Sequence, residues 1–174
     1  HSLLLEKDSK KKRKLFKRIK KYEDITDRIE AEITNYLTKV STKQLSDESS
    51  KLVRIMLSVI NDLERIGDIC YQMSVGIERK EEQKIWFSAK QREELFELFE
   101  LVENAIVETT ANLKKEYLKI DLEKAYVRER EINAKRDKIR KHHFQNIEKA
   151  EYGFQNGMIY NDLFNLYFLF CKLV

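Results

Sequence analysis

The chain has 174 residues, of which 37% are charged and 42% hydrophobic, with four glycines, two cysteines and no proline. At ordinary usage of about 5%, some nine prolines would be present, so their absence argues against a turn-rich all-β chain, and two cysteines are too few for a disulfide scaffold. The net charge of +4 hides an asymmetry: residues 10–21 hold nine bases (Lys10, Lys11, Lys12, Arg13, Lys14, Lys17, Arg18, Lys20 and Lys21) and no acid, which leaves −5 for the rest. A mildly acidic body with one basic end is not the pattern of a uniformly basic nucleic-acid binder.

No run of about 18 apolar residues is present, so no segment reads as a membrane-spanning helix. Leu3, Leu4 and Leu5 form too short an apolar cluster for a signal peptide. A start at His1, without methionine, reads as a tag remnant on a fragment of a longer protein. Periodicity predicts a first helix from about 10 to 40, with an apolar seam at Leu15, Ile19, Tyr22, Thr26, Ile29, Ile33, Tyr36 and Val40.

After the break at 41–46, Ser46 is placed to cap a second helix, with Asp47 and Glu48 at its positive dipole end. Its seam is Leu52, Met56, Val59, Leu63, Ile66, Cys70, Met73 and Ile77, and an antiparallel hairpin with the first helix follows. Trp86 falls in the next link, where packing onto the bundle end is expected. Ser88 and Gln91 have capping-box spacing and open a third helix through Leu95, Leu98, Val102, Ala105, Ile106, Thr109 and Leu113, ending near Lys119. Asp121 is a plausible cap for a fourth helix to about 150. Gly153 and Gly157 bracket a turn before a last segment, 158–174, that is apolar on nearly every side and so calls for burial by several neighbours. Cys70 and Cys171, in apolar stretches, read as buried free thiols.

Two carboxylate pairs have i, i+4 spacing one residue after a seam position: Glu23 with Asp27, and Glu64 with Asp68. Such spacing sets both acids on one helix face. In an antiparallel hairpin all four converge beside the seam, where they suit hard or borderline cations such as Mg²⁺, Mn²⁺ or iron. The bland reading is solvated surface, common in a chain with 30 acids. Gly67, between Glu64 and Asp68, costs about 1 kcal/mol against alanine in mid-helix and suggests close approach by another helix or a ligand.

The string Asp62-Leu63-Glu64-Arg65-Ile66-Gly67-Asp68 resembles the D-L-E-R-I-G-D signature of PhoU-type proteins, and Glu23-Asp24-Ile25-Thr26-Asp27 resembles the E/D-x-x-x-D motif on the first helix of the PhoU repeat. The resemblance implies two tandem three-helix repeats, metal bound through the acidic motifs, and a part in regulating phosphate uptake. The implied fold is an all-α antiparallel bundle of about five long helices: a basic segment at 1–21 running into the first helix, a first repeat at 10–118, and an incomplete, degenerate second repeat at 119–174. In the second repeat Glu129 and Asn133 stand where the E-x-x-x-D pair belongs, with Asn in place of the second acid, and Tyr160-Asn161-Asp162-Leu163 starts like Ile60-Asn61-Asp62-Leu63 but continues without acids. A second site there is the weaker one.

Some PhoU-like domains follow the membrane domain of a sodium/phosphate cotransporter, and the polybasic start resembles such a cytoplasmic tail at the inner face of the plasma membrane. Lys10, Lys11, Lys12, Arg13, Lys14, Lys17 and Arg18 would then face anionic lipid, each contributing about 1 kcal/mol; the bland alternative is a frayed, solvated helix start. The implied partner is a transporter membrane domain or a phosphate-signalling protein, with a homodimer as a further option. Nucleic acid is disfavoured, since no aromatic platform accompanies the basic run. His142 and His143 lack an E-x-x-H context and read as structural, and neither a catalytic triad nor a Gly-rich phosphate loop is present. The expectation is a regulatory module and not an enzyme; the rival is a metal-free helical adaptor or oligomerisation module.

Overall fold

The computed structural model describes residues 2–114 and 122–172, apart from the side chains of Leu113 and Leu122. These form six helices, α1 (Ser2–Leu5), α2 (Ser9–Ser41), α3 (Asp47–Glu82), α4 (Ala89–Leu113), α5 (Leu122–Glu148) and α6 (Phe154–Cys171), with no strand among the described residues. The all-α reading therefore holds. His1, the expected helix end at Lys119, the Asp121 cap and the last two residues, Leu173 and Val174, lie outside the described residues. The described chain divides within α3 into two compact units, Ser2–Ser74 and Val75–Lys172.

Without proline or glycine to interrupt it, α2 runs for 33 residues. The Asp8 carboxylate starts it by accepting from the Lys10 and Lys11 amides at 2.8 and 3.1 Å, which satisfies two of the helix's open donors. Ser46 does cap α3, its hydroxyl accepting from the Ser49 amide at 3.2 Å. Two helices stop on left-handed residues other than glycine, Lys84 after α3 and Ala150 after α5, both with φ of 52°. The bonds Ile85 N–H to Lys80 O (2.9 Å) and Glu151 N–H to Asn146 O (3.0 Å) close these ends as Schellman turns.

In the first unit α2 and α3 are antiparallel: Phe16 meets Tyr71 with ring centroids 6.0 Å apart, and Thr26 meets Gly67, so contacts run in opposite order along the two helices. The expected seams do not form this contact throughout. Tyr22, Ile29 and Tyr36 on α2 and Leu52, Met56, Val59 and Leu63 on α3 are exposed, Tyr36 by 67% and Leu52 by 57%. The facing rows lie one residue later, at Glu23, Glu30 and Leu37 on one helix and Leu57, Ile60, Glu64 and Gly67 on the other, all buried or half-buried. On α3 the physical reason is the Thr26–Gly67 approach: only a residue without Cβ allows the axes so close, and bringing Gly67 rather than its seam neighbour Ile66 to the contact turns that helix by about 100°, one residue step; on α2 Thr26 keeps its seam place.

The second unit is a three-helix bundle in which α4, α5 and α6 pack against one another in every pairing. Leu95, Leu98, Val102, Ile139, Leu163 and Phe164 fill its centre, each at most 5% exposed, with about 1.5–3 kcal/mol of hydrophobic stabilisation for each such leucine or phenylalanine. Phe99 and Tyr167 pack edge to face at 4.1 Å. The capping box at Ser88 and Gln91 is complete, and the apolar last helix is covered as expected, with Ile159, Tyr160, Leu163, Phe164, Tyr167 and Phe170 all buried.

Two expectations in this unit fail. Gly157 is not a turn residue: α6 begins four residues earlier than read, at Phe154 after the N-cap Gly153, and Gly157 is buried where a Cβ would lie 3.4 Å from the Tyr152 ring. Trp86 does not pack onto the bundle end but is 79% exposed, with the Lys80 ammonium 5.4 Å from its ring centroid; its neighbour Phe87 takes the buried position against Tyr160.

Candidate metal centre

The acidic motifs meet where α2 and α3 approach most closely. Carboxylate oxygens of Glu23, Asp27 and Asp68 lie within 4.8 Å of one another, so one residue pair from α2 and one acid from α3 converge as the spacing predicts. Thr26 stands between Glu23 and Asp27 and locks the local geometry by donating its hydroxyl to the Glu23 carbonyl at 2.8 Å. The three acids differ in exposure: Glu23 is 8% exposed, Asp68 half-buried and Asp27 exposed. The expectation that all the acids flank an apolar seam within reach of solvent is corrected at Glu23, which sits in the helix contact itself because the helices are turned.

Glu64, the fourth predicted ligand, is half-buried one turn before Asp68. It is outside the tight group of three, but its carboxyl is held above the usual range, first by burial and then by the charges of Asp68, Asp27 and Glu30. Four predicted acids and Glu30 thus share one field of negative charge. Against it stands Lys20, whose Nζ is 2.6 Å from Glu23 Oε2 and 3.2 Å from Asp24 Oδ1 and 4.6 Å from the Tyr71 ring centroid. Bonding to Glu23, and then to Asp24, holds this ammonium above its ordinary range. A cation therefore already stands on one of the candidate ligands.

The donor set fits a hard or borderline cation. It is all carboxylate oxygen, it carries more negative charge than Lys20 balances, and metal–oxygen distances of about 2.0–2.6 Å place the ligand oxygens of one ion roughly 3–5 Å apart. Among the described residues no thiol or imidazole joins the group. Lys20, Asp24, Glu30 and Tyr71 were not singled out by the motif. The signals were present in Lys20, three residues before Glu23, and Glu30, one heptad after it, both on the Glu23 face.

Other predicted positions lie elsewhere. Glu129 is exposed on the rim of a cavity of about 520 Å³ that Ala105, Arg128, Ile132 and Cys171 also line, and Asn133 Oδ1 accepts from Arg136 at 3.1 Å. Lys10, Arg13, Lys14 and Lys17 line a shallow cavity with Ser9 on the first turns of α2. Cys70 and Cys171 are free and half-buried, and burial pushes both thiols up, Cys171 to about 12.

A second titratable cluster, which the sequence reading did not assemble, lies inside the second unit. Glu94 is 5% exposed; it accepts from the Tyr160 hydroxyl at 2.8 Å and meets His142 Nδ1 at 2.7 Å. Asn146 reaches the other His142 nitrogen at 3.3 Å. His143 is buried, stacked on Tyr152 and 2.5 Å from its hydroxyl. Burial, opposed in part by Glu94, holds the His143 imidazole below its ordinary range, and burial with the Glu94 charge raises Tyr160 and takes Tyr152 to about 12. Satisfied on every side, these groups tie α4, α5 and α6 together, in keeping with the structural role expected for the histidines.

Among the described residues no helix is long and apolar enough to cross a membrane. No curated protein and no solved structure matches the chain. Residues 2–75, the stretch that carries both acidic motifs and the Thr26–Gly67 contact, match the PhoU domain family model, and this supports the PhoU family for that part of the chain.

Proposed function

We propose that the chain is a PhoU-type regulatory module in phosphate homeostasis that binds divalent or iron ions through Glu23, Asp27, Glu64 and Asp68. The observation that carries this reading is the convergence of acids from both predicted motifs within 4.8 Å around the Thr26–Gly67 contact, inside the stretch matching the PhoU domain. The bound ion supplies positive charge that relieves carboxylate repulsion. The chain's own residues do the rest: Glu23 and Asp27 hold the α2 side, Asp68 and Glu64 the α3 side, and Gly67 keeps the two helices close enough for both sides to act on one ion. Occupancy then changes how firmly α2 and α3 are held together, which a partner on the hairpin can sense. The module works by binding and not by catalysis.

On this reading 10–118 and 119–174 are the first and the degenerate second repeat, and Glu129 with Asn133 is the weaker second site. The transporter context is the finer part of the proposal. The nine bases of 10–21, with Lys10, Lys11, Lys12, Arg13, Lys14, Lys17 and Arg18 towards anionic lipid, fit the cytoplasmic tail of a sodium-dependent phosphate transporter at the inner face of the plasma membrane; the partner is then that transporter's membrane domain or a phosphate-signalling protein.

The test is metal retention. Glu64→Ala with Asp68→Ala should abolish metal retained after desalting while leaving the helical circular dichroism nearly unchanged. Metal content equal to that of the wild type by elemental analysis would overturn the site assignment. If EDTA and added Mn²⁺ or iron leave the melting temperature of the wild type where it was, the metal-free adaptor is the correct reading, because a ligand of the native state must raise it.

A further inference from the structure

We propose that the first turns of α2 hold an anion carrying several adjacent phosphoryl groups, bound by Lys10, Arg13, Lys14 and Lys17. These four side chains and Ser9 line a cavity of about 380 Å³, inside the size range of small-ligand sites. The site is separate from the metal centre and does not depend on it.

Three observations lead to it. The first is that this end of α2 runs against the electrostatics of a helix. A helix start favours acids, and cations belong at the other end. The first turn of α2 holds no acid, and residues 9–22 hold nine bases and no acid. Lys10 with Lys14, and Arg13 with Lys17, are like charges one turn apart, the spacing at which they repel. A local rule broken this consistently marks a place where a ligand, and not the fold, sets the choice of residue.

The second is that the four charges have no partner. Elsewhere the chain pairs its bases: Lys20 meets Glu23 and Asp24, Lys90 meets Glu93, and Arg128 meets Glu108 and Glu131. Among the described residues no ion pair holds the side chain of Lys10, Arg13, Lys14 or Lys17. The acids just before them are committed to backbone amides. Glu6 accepts from Lys7 and Asp8 at 2.9 and 3.0 Å, and Asp8 from Lys10 and Lys11. Because Asp8 covers open amides of the helix start, the anion is held by the side chains of the cavity and not by the helix end.

The third is the arrangement. At about 100° per residue the four bases fall within an arc of about 100° on α2, and Lys11, Lys12 and Arg18 fall outside it. Along the axis, Lys10 and Lys17 are about 10 Å apart. Four cations on one face, spread over that length, match an extended anion with several charges better than a single phosphate or sulfate. The Arg13 fork suits paired phosphoryl oxygens, the lysines act as point charges, and the Ser9 hydroxyl adds a neutral donor. A free polyphosphate and a multiply phosphorylated lipid headgroup both present this chemistry.

The experiment is titration calorimetry of the EDTA-treated full chain with sodium tripolyphosphate and with orthophosphate, so that its outcome is independent of the metal assignment. The site variant is Lys14→Gln/Lys17→Gln; Lys11→Gln/Arg18→Gln removes the same charge outside the arc. All four positions are exposed. The expected result is that tripolyphosphate binds more tightly than orthophosphate, and that the site variant weakens it by about tenfold or more, as loss of charge-assisted contacts does, while the second variant leaves it nearly unchanged. Flotation with phosphatidylcholine vesicles carrying phosphatidylserine, or a bisphosphorylated phosphoinositide at equal charge, identifies the source. Retention on the phosphoinositide alone assigns a lipid headgroup; retention on neither, with tripolyphosphate bound, assigns a free anion. Equal weakening in the two variants, or retention on phosphatidylserine as good as on phosphoinositide, means that diffuse charge attracts the anion and overturns the proposal. Failure to bind either tripolyphosphate or phosphoinositide vesicles overturns it too. Without ligand the site variant should unfold in urea at a midpoint no lower than the wild type's, since it removes repulsion; a lower midpoint means that these bases serve the fold, and the proposal falls.

Discussion

Gly67→Ala probes the contact on which both the carboxylate geometry and the turn of α3 depend. In an unpacked helix interior the change would stabilise by about 1 kcal/mol through propensity. Here the new Cβ would lie 2.4 Å from Thr26 Oγ1 and 3.3 Å from Thr26 Cβ, the first about 1 Å inside ordinary contact distance. Thr26 cannot swing away freely, because its hydroxyl is bonded to the Glu23 carbonyl, so either that bond breaks or the helices part. Overpacking of this kind costs about 1–3 kcal/mol and outweighs the propensity gain, for a net loss of up to about 2 kcal/mol.

Urea unfolding monitored by circular dichroism measures the change, read from the midpoint at constant slope. In a Thr26→Ala background only the 3.3 Å contact remains, and Gly67→Ala should then lose less than half as much, giving a coupling of about 1 kcal/mol in the double-mutant cycle. A Gly67→Ala chain more stable than the wild type would refute the close packing and, with it, the reason given for the turned seam of α3.

Removing the resident ammonium by Lys20→Met should tighten metal binding several-fold, because Glu23 no longer has to surrender a partner at 2.6 Å; titration calorimetry on both proteins decides it, and equal affinities would mean that Lys20 does not compete. His143 governs a different response. Its imidazole is held below its ordinary range by burial, so the native state keeps it neutral while the unfolded chain protonates near pH 6.5. Stability from this group is therefore present above that pH and is lost as the pH falls below it, with a slope of at most about 1.4 kcal/mol per pH unit for one proton. His143→Gln should flatten the fall in unfolding midpoint between pH 7 and pH 5, and an unchanged slope would assign the acid sensitivity to other groups.

The parts of the fold legible in the sequence were those set by local chemistry. Ser46 and the Ser88–Gln91 box mark their helix starts through side chain to backbone bonds that need no tertiary partner, and the apolar wheel of α6 calls for burial by more than one neighbour, although Phe154, Met158 and Leu169 stay exposed. The rotation of α2 and α3 was not legible, because apolar periodicity reports which residues avoid water and not which neighbour covers them. Tyr36 and Leu52 obey the four–three rule and still face outward. Gly67 was the one residue that pointed to the true contact, through what it lacks. Trp86 and Phe87 are adjacent and similar in hydrophobicity, and only the path of the chain into α4 decides which one is buried. The acids were found as i, i+4 pairs, whereas Lys20 and the Glu94–His142–Tyr160 cluster needed positions from separate turns or separate helices to be seen together.

The crowd of carboxylates between α2 and α3 also makes Glu64 and His143 answer acid in opposite ways. Glu64 has its carboxyl raised by burial and by Asp68, Asp27 and Glu30, so it takes up a proton more readily folded than unfolded. That contribution is present at low pH and is lost as the pH rises through the folded value. At Glu64 a proton therefore relieves the same crowding of negative charge that a cation would relieve, while protons work against the buried His143 of the second unit. A fall in pH thus acts with opposite sign at these two groups.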